Sequence, residues 1–414
     1  MIYKVVSIAV LFFCINLNTT TAQVFKGTVV DDETGEPVPF STIFLTNTTL
    51  GVSADAEGNF TLEIPRGNYE VVTRMLGYEL MVFTLRTDEM KPFYQIRLKP
   101  DARQLREIKI EGERDALWYR NLEIFKDYFL GTSANAEKCK ILNPEVLILD
   151  SDSKKGTLIA SAVDVLVISN PNLGYEIDYV LTHFKLDSTS NEVYFQGYPS
   201  YRNLPKYSSK IPRRIVKNRE KAYKGSIHHF LKTMYDGDSA EEGYLVREIR
   251  KVPNPERPSD EEIDSARVKM NQTKDFAEKE MLYRNFVRRE RLPKTVEEMA
   301  SDYSDTNDFI SKQENGELLL QFNHLLEVTY TKEKVESAYN MNVYDIPKNQ
   351  KSNIIIHYSD EMVIPKYQKS IIRLNVPSTT INHQGTTYNP FDIFLMGYMG
   401  WEKMGDMMPI DFIP

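Results

Sequence analysis

The sequence predicts a mainly β protein in two parts: a β-sandwich, then an α+β body of antiparallel strands with helical insertions. Three observations carry this. Between residues 24 and 98, apolar residues recur at period two between short turns. Residues 116–130 place Trp118, Leu122, Phe125 and Phe129 at spacings of four, three and four, which is one apolar helix face. Residues 145–199 alternate strand-like runs with turns and read as an antiparallel meander.

Lys4 precedes an apolar run from Val5 to Leu17, and Thr20-Thr21-Ala22 precede Gln23. A charged start, an apolar core and a small-residue exit predict a secretory signal peptide over residues 1–22, cut after Ala22. The run is short for a membrane span. Cys14 lies inside the run and not at its exit, so no lipid attachment is expected there. Removal of this segment leaves Cys139 with no partner for an intrachain disulfide, and a lone cysteine usually behaves as a small buried hydrophobe. The net charge of −8 over 414 residues argues against nucleic acid as the main partner.

Residues 23–100 form the first domain. Its expected core is Phe25, Val29, Phe40, Ile43, Leu45, Phe60, Leu62, Ile64, Tyr69, Val71 and Leu76, with the strand Gln95–Leu98 closing it. Asp55-Ala56-Glu57-Gly58-Asn59 invites a calcium-loop reading, but the twelfth position, where a bidentate acid is required, is Arg66. A tight glycine turn of a β-hairpin explains the segment better.

The order of Val24–Val30, the turn Asp31–Phe40, the strand Ser41–Leu45, Gly51–Phe60 and Gly67–Glu70 resembles the carboxypeptidase regulatory-like domain, a transthyretin-like β-sandwich. The resemblance implies an accessory module without catalytic residues. In related proteins the module precedes larger parts, including nutrient receptors with a plug and barrel. The remaining chain is too short for both, so a receptor role is not expected.

Residues 101–114 are a charged linker or edge strand, with Ile108 and Ile110 alternating. The second domain, residues 115–414, starts with Asp115 capping the helix Ala116–Leu130 and Gly131 ending it. Strands are expected at Val146–Leu149, Leu158–Ser169, Tyr175–Leu186 and Val193–Tyr198. Ser226 caps a helix carrying His228 and His229, which point about 100° apart, one packed and one exposed. Pro253, Pro255 and Pro258 open a charged helical insertion over about 253–316, with helices Asp260–Met270, capped by Ser259, and Asp275–Arg291. Strands return at Leu318–Tyr330, Asn353–Tyr358 and Ser370–Val376, and the tail Thr387–Pro414 packs on the body. The blocks Asn143-Pro144-Glu145, Leu173-Gly174-Tyr175, Ala222–Ser226 and Trp401–Pro409 resemble the part that accompanies this module in exported bacterial proteins, which implies no assigned reaction.

Between Lys206 and Lys224, eight cations face one acid, Glu220. Lys210, Arg213, Arg214, Lys217, Arg219 and Lys221 are the candidate surface for an anionic partner. A solvated helix with cations paired elsewhere is the alternative.

A zinc carboxypeptidase would need His-x-x-Glu and a distant histidine. His324-Leu325-Leu326-Glu327 fits formally, with His357 or His383 to follow. Inside one strand, however, His324 and Glu327 fall on opposite faces. No nucleophile elbow or phosphate loop is present, so no catalytic residue, metal ligand or cofactor is assigned. The sequence points to a non-enzymatic binding or scaffold protein, exported to the periplasm or the outer-membrane region. Its partners would be an envelope protein or glycan, and peripheral membrane contact is compatible. An envelope hydrolase with an unrecognised site is the competing reading.

Overall fold

Alternating burial along β-branched and aromatic runs sets the first unit into strands. The computed structural model describes residues 23–101, 114–190, 192–339 and 367–414. The expected signal peptide, the linker isoleucines and the strand Asn353–Tyr358 lie outside them. The chain divides into two compact units. One holds the described residues of Met1–Ile43 and Val52–Leu105, and the other those of Phe44–Gly51 and Arg106–Pro414.

In the first unit β1 (Gln23–Asp31) pairs antiparallel with β4 (Asn59–Ile64) and parallel with β7 (Tyr94–Leu98). A second sheet runs β3 (Gly51–Ser53), β2 (Thr42–Leu45), β5 (Asn68–Arg74) and β6 (Met81–Arg86). Phe25 joins the two layers, its ring 4.9 Å from Phe60 and 6.4 Å from Phe83. Most of the expected core is buried, including Val29, Ile43, Phe60, Ile64, Tyr69 and Val71.

Phe40 and Leu76 are exceptions, 65% and 79% exposed. Both sit in turns. Phe40 follows Pro39 with φ near +60°, a left-handed conformation that turns its side chain out of the strand direction. Leu76 precedes Gly77 in a turn closed by Tyr78 N–H donating to Met75 O at 3.1 Å. Asp55 builds a turn as expected, its carboxylate accepting from the amides of Glu57 and Asn59 at 3.0 and 2.7 Å. That turn does not make a hairpin, because β3 and β4 belong to different sheets.

In the second unit α1 (Ala116–Phe129) is capped by Asp115, which accepts from Trp118 N–H at 2.7 Å. Its apolar face lies on a six-stranded sheet. β12 (Tyr175–Asp187) pairs with β13 (Glu192–Asn203) along one edge. Its first half pairs with β11 (Leu166–Asn170) and its second with β10 (Thr157–Ala162) along the other. β8 (Lys140–Ile141) extends β11, and β9 (Leu147–Asp152) extends β10. The single strand expected over 158–169 is therefore two strands, β10 and β11. Phe125 and Phe184 meet at 4.8 Å in the shared core, which also takes in Met404.

Two helices follow, α2 (Arg213–Tyr223) and α3 (Ile227–Asp236). α3 packs on a five-stranded sheet. The order is β15 (Thr295–Met299), β14 (Tyr244–Pro253), β18 (Leu325–Tyr330), β19 (Gln368–Leu374), β21 (Ile393–Gly397). All six residues of β18 are buried, so both faces of this strand are covered.

A small sheet joins β16 (Ile310–Lys312), β17 (Leu318–Leu320) and β20 (Thr379–Ile381). The insertion forms α4 (Asp260–Gln272), with a capping box of Ser259 and Glu262, and α5 (Phe276–Leu282). Past Leu282 the expected helix loosens into a π turn and a 3-10 turn. The short α6 (Tyr398–Trp401) leads into a tail whose Met404 is fully buried. Among the described residues no helix is long and apolar enough to cross a membrane.

Candidate functional site

The cations of residues 206–224 have two different fates. Lys206, Lys210, Arg213, Arg214 and Lys217 are exposed and make no ion pair among the described residues. They gather ahead of and along the first turns of α2, whose N-cap is Pro212 and which has no side-chain cap. Positive charge there opposes the helix dipole.

Arg219 is instead 5% exposed. Its guanidinium donates to Leu173 O at 2.7 Å, Asn203 Oδ1 at 2.8 Å and Gly174 O at 3.4 Å, and lies 3.7 Å from the Tyr175 ring centre. Gly174 lets α2 come this close: with φ near +70°, a Cβ there would meet Ile215 Cγ2 at 2.8 Å. Lys221 is paired with Glu336 at 2.8 Å. Arg219 and Lys221 thus hold the fold together and leave the exposed patch to their five neighbours. The sequence could have flagged Arg219, because it shares a helix face with Ile215 and Ala222.

The histidine–glutamate motif does not converge. Gln321–His324 leave the sheet, so the expected strand Leu318–Tyr330 is broken into β17 and β18. His324 is exposed and borders an open cleft of about 610 Å³ with Glu248, Arg250, Lys251 and Asp308. Glu327 is buried in β18 and bound to Arg247, its cross-strand neighbour on β14, at 2.5 Å. His383 meets Tyr235 edge-on with ring centres 6.5 Å apart, and His357 lies outside the described residues. Among the described residues no three acids, histidines or cysteines are placed to hold one metal ion.

The paired histidines are both structural. His229 is buried, its Nδ1 meeting Gly225 N–H at 3.2 Å and Tyr244 Oη at 2.8 Å. His228 is half-buried, not exposed, with Nε2 2.8 Å from Gln384 O. Burial pushes both imidazoles down to about 4.

Sequence reasoning missed an acid cluster where the loop after β18 meets the tail. Glu336 accepts from Lys221 and from Ala134 N–H at 3.2 Å. Glu333 accepts from Gln368 Nε2 at 3.3 Å. Asp406, 7% exposed, accepts at Oδ1 from Ser133 at 2.8 Å and Asn135 at 3.1 Å, while its Oδ2 is buried without a partner. Glu402 is half-buried, and its carboxyl has no hydrogen bond or ion pair among the described residues.

Burial, then Asp406, Glu336 and Glu333, push Glu402 well above the usual carboxylate range. Burial raises Asp406 to about 6. Tyr339, Tyr398 and Trp401 pack beside these acids with ring centres 5.2 to 5.4 Å apart. These residues come from segments far apart in sequence, so no local motif announces them.

Residues 25–110 match the family model of the CarboxypepD_reg-like domain. The first unit is therefore a sandwich of that kind, ahead of a β-rich second unit. Among curated proteins none matches the chain. Similar solved structures include a DUF3823-family protein from Bacteroides ovatus, 10% identical, with 44% of this chain and 82% of that one covered and a TM-score of 0.16. A candidate carbohydrate-binding protein from Bacteroides uniformis is 10% identical over 45% of this chain and 81% of that one, with a TM-score of 0.15. A candidate membrane-associated protein of unknown function from Bacteroides fragilis is 8% identical over 91% and 93%, with a TM-score of 0.16.

Proposed function

We propose that the chain is a non-enzymatic binding or scaffold protein exported to the bacterial envelope. In this reading the signal peptide and the first domain are an address and an attachment, and residues 115–414 bind an anionic envelope glycan. One observation supports it above others. Lys206, Lys210, Arg213, Arg214 and Lys217 are exposed and make no ion pair among the described residues, in a chain whose net charge is −8. Cations on the first turn of a helix cost roughly 0.3–1 kcal/mol each. A bound anion reverses that sign, and neutralising several cations makes binding fall steeply with salt.

The test is retention of the chain on immobilised dextran sulfate against neutral dextran, across a salt series. The sulfated matrix should hold the protein at low salt, and the neutral one should not. The triple charge reversal Arg213→Glu, Arg214→Glu, Lys217→Glu should abolish retention with its folded signature intact. Equal retention of the triple variant would overturn the contact surface.

An envelope hydrolase is the competing reading, and the acids around Glu402 favour it. Release of reducing sugar from envelope glycan by the native chain, lost in Glu402→Gln, would carry that reading over binding.

A further inference from the structure

We propose that the notch where β18 stops short in the five-stranded sheet binds an extended peptide as an added strand, one that alternates apolar and acidic residues. β18 begins at Leu325, but both of its neighbours run on past that point. β14 continues from Ile249, the partner of Leu325, to Pro253. β19 continues from Ile372, the partner of Leu326, to Leu374. With the middle strand missing, the two stand two strand spacings apart, roughly 9.5 Å.

Backbone alternation fixes what each wall offers. Glu248 O accepts from Ala300 N–H at 2.9 Å, and Asn254 N–H donates to Lys294 O at 3.0 Å, so even-numbered residues of β14 face β15. Gly243 O accepts from Thr331 N–H at 2.9 Å, so odd-numbered ones face β18. The N–H and O of Lys251 and the O of Pro253 therefore point into the notch, where no described residue bonds to them. Just past β19, Asn375 N–H donates to Asp392 O at 2.8 Å on the β21 side. That turns the N–H and O of Leu374 to the notch, again without a described partner. An extended chain carries donors and acceptors on both edges at this same alternation, so one strand answers both walls.

The space beside the β14 wall is open. The cleft of about 610 Å³ is bounded by Glu248–Val252, Phe309–Ser311 and Gln321–Leu326, and Gln321, Asn323 and His324 are exposed. Its volume is in the range of ligand pockets.

The two faces of the notch select the side chains. Ile249 and Ile371 share one core, and Lys251 and Arg373 follow them by two residues. Both cations thus stand on that face, one on each wall, with Glu297 as the acid opposite Lys251 on β15. The other face carries Phe309, Leu326 and Leu374 of the apolar core, and there Glu248 and Arg250 pair with each other. A strand seated in the notch turns acids to the first face and apolar side chains to the second. This site uses none of the cations of α2.

The test is fluorescence anisotropy of a labelled peptide of alternating valine and glutamate, titrated with the full chain. Saturable binding is expected. The same peptide N-methylated at every second residue keeps its side chains but loses the donors of one edge, and should not bind. A valine–lysine peptide should bind about tenfold more weakly. Lys251→Ala removes one cation and keeps the amide. Lys251→Pro removes the amide donor too, and should weaken binding about tenfold beyond Lys251→Ala. Proline is tolerated where a strand's N–H faces an open edge, and the methylated peptide makes the same test on the native chain if that variant does not fold. The triple reversal on α2 should leave the affinity unchanged, which separates this site from the glycan reading. Four results would overturn the proposal: no binding, equal binding of the methylated peptide, equal affinity of Lys251→Pro and Lys251→Ala, or self-association that the peptide reverses, which would give the notch to a second copy of the chain.

Discussion

Replacing Arg219 should damage folding, whereas replacing its exposed neighbours should not. In Arg219→Met the two short hydrogen bonds at 2.7 and 2.8 Å and the stack on Tyr175 at 3.7 Å are lost. Bonds from a charged donor contribute about 1.5–3 kcal/mol each, and a buried cation–π contact about 1–2. Methionine gives back part of this, because it avoids the several kcal/mol spent on burying a guanidinium. It cannot satisfy Leu173 O, and that orphaned buried acceptor costs about 1–3 kcal/mol, whereas Asn203 is exposed and can turn its Oδ1 to water. The balance is a loss of about 3 kcal/mol. Arg219→Lys should lose about 2, since an ammonium cannot reproduce the fork. By contrast Arg213→Glu puts an acid at the helix N-terminus and should stabilise α2 by about 0.3–1 kcal/mol. Urea denaturation followed by circular dichroism reads all three as midpoint shifts at constant slope. A shift for Arg219→Met within about 0.5 kcal/mol of native would refute the reasoning.

Phe40→Gly should raise the stability of the first unit by about 0.5–1 kcal/mol. It relieves a left-handed aromatic at φ near +60° that buries little, partly offset by glycine's entropy. A fall in the first unit's melting temperature would contradict this. His228 carries a pH dependence of definite sign. Its folded value is lowered from 6.5 to about 4, so its contribution is whole above 6.5 and is lost as pH falls toward 4. That loss is on the order of 3 kcal/mol, and because His229 carries a like dependence the pH slope of stability across this window should fall by about half in His228→Gln. Cys139, raised to about 12 by burial, should react with iodoacetamide about a thousandfold more slowly than a free thiol at mild alkaline pH. Labelling at the rate of glutathione would show the thiol to be open.

The first unit was legible because its signals are local. Period two, turn glycines and prolines all act within a few residues, and Phe25, Val29, Phe60 and Val71 fell inside as expected. Phe40 and Leu76 misled because hydrophobicity does not report backbone sign: a left-handed turn exposes what the pattern would bury. The caps at Asp115, Ser226 and Ser259 were legible for the same local reason. Strand breaks at 163–165 and 321–324 were not, although Asp164 and Gln321, Asn323 and His324 interrupt the apolar runs there, because what ends each strand is a change of partner from one neighbour to the next. The basic run could be seen as a run, and Arg219 could be sorted from it by its face shared with Ile215 and Ala222, but Lys221 is sorted from it only by Glu336, which is distant in sequence. The acid cluster was invisible for that reason too: Ser133, Glu336 and Asp406 become neighbours only through the fold.

The burial of Met404 beneath α1 has a consequence for how the second unit comes into being. Its first core is not complete until a residue 275 or more positions beyond α1 is in place, and the five-stranded sheet waits for β21 at Ile393–Gly397. Such long-range closure makes for slow acquisition of structure. During synthesis α1 can cover its sheet once residues 140–203 emerge, but the end of this core that Met404 and Met408 close stays open until the tail follows, a state vulnerable to aggregation in bulk water. Trimming the chain before Ile393 should therefore do more than shorten a tail. It should leave the end of α1 at Phe129 and Leu130 without the tail that hydrogen-bonds it, detectable as dye binding to exposed apolar surface and as protease sensitivity near residues 129–141.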